Sequence, residues 1–136
     1  MTLTRLSKIE QDFEEFLLRM TKKLLSVGLL FFGESLVIYA EILSAKMFYT
    51  QSRPFWFVIS RLGSVALIST FMLLCGYMFG LQAFKNIWII TVISITSILL
   101  SEPILTYFIT HQMPTKGALA GLAFGFIGLV LALIWE

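Results

Sequence analysis

The sequence predicts an all-α membrane protein: four transmembrane helices preceded by an amphipathic N-terminal helix. Three observations carry this. Four apolar stretches, roughly residues 24–45, 55–80, 87–110 and 117–135, each meet the requirement of about 20 predominantly apolar residues for a helix to cross a bilayer. A soluble domain carries about 25% charged residues, whereas this chain is 58% hydrophobic and 13% charged, with a mean hydropathy of +0.90. All three tryptophans, Trp56, Trp88 and Trp135, stand at stretch ends, where amphipathic rings sit at headgroup level.

Residues 1–23 form the first division of the chain and 24–136 the second, a four-helix transmembrane domain. In the first, Leu3, Leu6, Ile9, Phe13, Phe16, Leu17, Met20 and Leu24 recur at three- and four-residue steps, the one-face pattern of a helix. Ser7 with Glu10 fits a capping box, and Thr2 or Thr4 offers an earlier start. Glu10, Asp12, Glu14, Glu15, Arg19, Lys22 and Lys23 occupy the other face. Such a helix lies in the headgroup region with its apolar face down, or packs on a partner protein.

The first span ends at Lys46, with Phe48 and Tyr49 at the interface and Gln51 to Pro54 as the turn. Pro54 suits the first turn of the following helix. Trp56 opens the second span, which leads into a turn over Gly80 to Asn86. Trp88 opens the third, and His111 to Lys116 form the next turn. The fourth span closes at Trp135. Four crossings put both termini on one side. That side holds Arg5, Lys8, Arg19, Lys22, Lys23 and Lys85, and the other holds Lys46, Arg53, Lys116 and, at its edge, Arg61. The excess of basic residues places both termini in the cytoplasm.

Several function classes are set aside by composition. A net charge of +2 is too small to imply nucleic acid. The single cysteine, Cys75, lies inside the second stretch and reads as a small buried apolar residue. The polar, charged first 23 residues are not the pattern of a cleavable signal. His111 is solvated in a turn. No metal-ligand spacing, phosphate loop or nucleophile elbow appears, so neither an enzyme nor a cofactor is expected. The expected partners are the lipid bilayer, a second copy and other membrane subunits.

The functional lead is charge inside the spans: Glu34, Glu41, Arg61 and Glu102. Each costs several kcal/mol at a helix centre by the lower of the contested estimates. Glu41 lies ten residues before Gln51 and Arg61 ten after it, so the two should sit level across the first turn and pair. Glu34 is two turns deeper on the face of Glu41, near the midplane. Glu102 matches the depth of Ser64, one turn below Arg61, and precedes Pro103, which frees a carbonyl and bends the helix. One reading is a static salt bridge with the remaining glutamates facing a wet crevice or a partner. The other is a proton- or cation-binding site, because three carboxylates against one arginine leave negative charge for which a proton and a cationic substrate compete.

In the fourth span Gly117, Gly121 and Gly125 make a doubled GxxxG pattern, extended by Gly128. Small residues let helix backbones approach closely, within one chain or between two. Four helices enclose too little cross-section for a substrate path, which favours dimerisation through this face.

Ala40-Glu41-Ile42 in the first span, Ala83-Phe84-Lys85-Asn86-Ile87-Trp88 at the start of the third, and Ser101-Glu102-Pro103 leading through Pro114-Thr115 to the glycine-ridged last helix give the chain its family likeness. Over about residues 28–135 it resembles the small multidrug resistance proteins and the single EamA-type repeat of the drug/metabolite transporter superfamily. The resemblance implies that Glu41 is the proton- and substrate-binding carboxylate, and that the protein resides in a bacterial or archaeal plasma membrane. The expected function is thus a dimeric, proton-coupled transporter of a small cationic or amphipathic metabolite. The alternative is a non-transporting accessory subunit, or a lipid-carrier flippase component, of a larger membrane complex.

Overall fold

The structure, a computed structural model, describes residues 3–134. Trp135 and the side chains of Leu3, Leu6 and Ile9 fall outside what it describes. Four helices account for nearly all of it: α1 (Leu3–Tyr49), α2 (Phe55–Phe84), α3 (Ile87–Thr110) and α4 (Lys116–Ile134). Three of them, α1, α2 and α3, are long and apolar enough to cross a membrane. The fourth, α4, is apolar and shorter, with 19 residues.

The boundary expected near residue 23 is not a helix end. From Leu3 to Val27 the chain has no glycine or proline, so nothing interrupts the hydrogen-bond ladder, and arm and first span form one helix of 47 residues. At 1.5 Å per residue that is about 70 Å of rod. It begins before Ser7, so the capping box is not its start. Every residue from Glu10 to Thr21 is exposed, including Phe13, Phe16, Leu17 and Met20 of the apolar stripe. Contact with the bundle begins at Lys22 and Lys23. Lys22 Nζ reaches Gln82 Oε1 at 3.5 Å, and Lys23 Nζ stands 5.4 Å from the centre of the Phe84 ring. Both cations thereby meet the negative end of the α2 dipole.

The turn after α2 is shorter than the sequence suggests. Gly80 stays helical because it is a packing residue, and α2 runs on to Phe84. Lys85 ends it in the left-handed conformation (φ 56°), and the Asn86 side chain caps α3 by accepting from Trp88 N at 2.9 Å. At the far end of α3, His111 takes the same left-handed conformation (φ 55°), and Lys46 Nζ donates to the Ile109 carbonyl. That carbonyl lies in the last turn of the helix, where acceptors have no intrahelical partner. The helix α3 continues through Pro103.

The packing order is α2, α1, α3, α4. The long helix α1 touches both α2 and α3, α2 also meets α3, and among the described residues α4 touches only α3. The α1–α2 seam is tight. A Cβ at Gly33 would stand 2.9 Å from Leu73 Cδ2, one at Gly76 3.0 Å from Leu30 Cδ2, and one at Gly80 2.6 Å from Ser26 Oγ and 3.0 Å from Ile90 Cγ1. Leu30, Ser26 and Ile90 are fully buried against these glycines, and Ser69 of α2 is fully buried as well. Burial inside one chain is otherwise thin, and large apolar side chains cover much of the outside, such as Leu67, Phe71 and Met78 on α2. Exposed apolar surface on this scale is compatible with contact to a membrane or to other proteins.

Candidate functional site

The seam between α1 and α3 differs in chemistry from the one between α1 and α2. On α3 the buried stripe is Ile90, Ser94, Ser97 and Ser101, steps of four, three and four that keep one helix face. Opposite them α1 presents Glu34 and Ser35. Ser94 Oγ donates to Glu34 Oε1. Ser35 Oγ donates to the Phe31 carbonyl at 2.7 Å and lies 2.8 Å from Ser101 Oγ. A hydroxyl has one proton to give, so Ser101 is the donor in that pair. Ser97 returns its proton to the Ile93 carbonyl at 2.8 Å.

Glu34 is only 9% exposed. No cation bonds it, since the one ion pair among the described residues is Arg19 with Glu15, on the exposed arm. Its second oxygen, Oε2, has no protein partner there either. It is nevertheless not sealed, because among the described residues no fully enclosed side-chain nitrogen or oxygen lacks a hydrogen bond. The interior therefore holds one carboxyl that is oriented by a serine, lacks a countercharge and retains an accessible oxygen. Along the same face of α1, Ser26 and Leu30 are fully buried on one side of Glu34, while Glu41, two turns on in the other direction, is exposed. The cover over this face ends between Glu34 and Glu41.

The expected Glu41–Arg61 ion pair does not form. Gly33 meets Leu73, Leu30 meets Gly76 and Ser26 meets Gly80, so each step along α1 matches an equal step back along α2. Continued in register, Glu41 is level with Val65 and Arg61 with Ala45. One helical turn, about 6 Å of rise, separates the two charges. Arg61 also lies off the buried Val58–Leu62–Ser69 stripe of α2. It is exposed, with its guanidinium 5.9 Å from the centre of the Phe57 ring.

Glu102 is brought neither to Glu34 nor to Glu41. It is exposed on α3 and lines a cavity of about 290 Å³ at the corner where α3 turns into α4, together with Thr106, Tyr107, Gln112, Met113 and Leu122. The three glutamates thus occupy an interior seam, the open end of the α1 face and a corner cavity. The glycines of α4 also divide. A Cβ at Gly125 would meet Leu99 Cδ1 at 3.0 Å, whereas Gly117, Gly121 and Gly128 face open space.

Sequence reasoning from charge alone passed over Ser94, Ser97, Ser101 and Ser35. The signal was available: hydroxyls at helical spacing within an apolar span face another helix more readily than lipid. Compared with protein-family models, with curated proteins and with solved structures, the chain matches none.

Proposed function

We propose that this protein is a small, dimeric, proton-coupled membrane transporter of a small cationic or amphipathic metabolite, of the kind the small multidrug resistance resemblance implies. On this reading all four helices cross a bacterial or archaeal plasma membrane with both termini in the cytoplasm. The exposed apolar stripe of the arm meets the headgroup layer or a partner helix. The observation that carries the reading is Glu34: a buried carboxyl held by Ser94, with no cation beside it and Oε2 accessible, which four crossings would put near the midplane. A charge at that depth is costly unless something neutralises it. A proton and a cationic substrate are two ways of doing so, and one must leave when the other enters. Glu41 stands where the cover over this face ends, and serves as the approach to Glu34 from the side away from the termini.

Uptake of tetraphenylphosphonium into proteoliposomes under an imposed pH gradient tests this. The parent should accumulate the cation and collapse part of the gradient. E34Q should do neither, although its amide oxygen still accepts from Ser94. E34Q transport at the parent's rate would remove Glu34 from the mechanism.

A second reading is an accessory subunit or flippase component in a larger membrane complex. It is favoured by α4, which touches only α3 and leaves Gly117, Gly121 and Gly128 uncovered. The readings separate on substitution: an accessory subunit keeps its function in E34Q, E41Q and E102Q as long as it assembles.

A further inference from the structure

We propose that the corner cavity between α3 and α4 binds a primary ammonium group that carries an apolar tail. The cavity's polar side is made by Glu102, Thr106, Tyr107 and Gln112, and none of these side chains has a hydrogen bond or ion pair among the described residues. Thr106 stands out within its own helix. Thr91, Thr96 and Thr110 each return their hydroxyl to the carbonyl four residues earlier, and Thr106 does not. Lys46 donates to the Ile109 carbonyl, Arg53 and Arg61 lie over Phe57, and none of the three lines the cavity. His111 and Lys116 flank the turn without lining the cavity. One carboxylate with no countercharge thus faces two hydroxyls and an amide that are free to accept N–H donors, beside an aromatic ring that favours cations. Met113 and Leu122 form the apolar side. At about 290 Å³ the cavity sits at the lower edge of the roughly 300–1,000 Å³ typical of small-molecule sites. It fits a headgroup and the start of a tail. The site is separate from Glu34 and does not depend on transport.

The chemistry is shared by a free amphiphilic amine and by the ethanolamine headgroup of a lipid. Calorimetric titration of the full-length protein in maltoside micelles, with empty micelles subtracted, distinguishes them. One arm uses decylammonium and the other dihexanoyl phosphatidylethanolamine, and the arm that binds more tightly identifies the source. The parent should bind saturably, and E102Q at least tenfold more weakly. L122W, which fills the apolar side and leaves Glu102 in place, should weaken binding similarly, so that misfolding of either variant alone leaves the test standing. In an E34Q background, which removes the carboxyl of the transport reading, saturable binding should remain and adding E102Q should still weaken it at least tenfold, so that failure here and failure of the transport reading are told apart. No saturable binding by the parent, or parent-like binding by a folded E102Q or L122W, overturns the proposal.

Discussion

The long helix α1 uses opposite chemistries toward its two neighbours. Toward α2 it closes a seam in which glycines stand so near leucine and serine side chains that an added Cβ would come within 3.0 Å of them. Toward α3 it closes a seam of hydroxyls and one carboxyl. In an apolar solvent, helices gain little from burying apolar side chains, so close backbone approach and interhelical hydrogen bonds hold them together. The first seam rests on close approach, with one hydrogen bond from Ser26 Oγ to the Gly76 carbonyl at 2.8 Å, and leaves no room to adapt. The second uses hydrogen bonds, which can be exchanged. A scaffold and a site thereby share one helix, and the difference predicts how each responds to substitution.

The largest effect should come from filling the tight seam. G80L must displace Ser26 and Ile90 together, and overpacking of this kind costs about 1–3 kcal/mol or more. Thermal or denaturant unfolding in detergent should show the loss, and a G80L protein as stable as the parent would break the account of the α1–α2 seam. In the polar seam S94A should cost about 1 kcal/mol, the net worth of one hydrogen bond. E34Q should change stability less than S94A, since it keeps an acceptor for Ser94. An order of effects reversed between these two would mean that Glu34 holds the fold together.

A finer contrast lies on α4. G125L should lower the stability of the single chain, because Leu99 occupies that space, whereas G121L should leave it within about 0.5 kcal/mol, as expected at an open surface position. If the glycine ridge mediates a dimer, G121L should still weaken association. Oligomer mass in detergent, measured beside the melting curve, separates the two effects. The smallest expected effect is at Glu41 and Arg61, which spacing from the turn would pair and the helix register sets apart. A double-mutant cycle on Glu41 and Arg61 should give a coupling near zero at dilutions where the chain is monomeric, and a coupling of 1 kcal/mol or more would restore the pair.

Much of the fold was legible because composition and period suffice to find apolar helices. The turn at Gln51–Pro54 and the end of α3 at His111 follow from local residues. The continuity of α1 was obscured by a change in composition at Lys22 and Lys23 that reads like a boundary but contains no helix breaker. The end of α2 was misread because Gly80 looks like a helix stop, the usual place for a left-handed residue. Instead Lys85 takes that role, and Gly80 serves as a contact surface. The charges were legible as a list and not as an arrangement. Depth was inferred from distance to a turn, yet the helix register is set by Gly33, Gly76 and Gly80, which shifts Glu41 and Arg61 by about a turn. The serines of α3 were legible in spacing, but their partner on α1 was not, since nothing in one helix states which face of another it will meet.

On the transport reading, Glu34 exchanges a proton for a cation. That exchange is tested most directly by proton release in weakly buffered solution, read with a pH-sensitive dye, as tetraphenylphosphonium is added to purified protein. The parent should release protons in proportion to bound cation, because proton and cation compete for the same carboxylate. E34Q should release none, while E102Q, altered at a separate cavity, should release as the parent does. Parent-like release from a folded E34Q would contradict the account and move the exchange to another carboxyl.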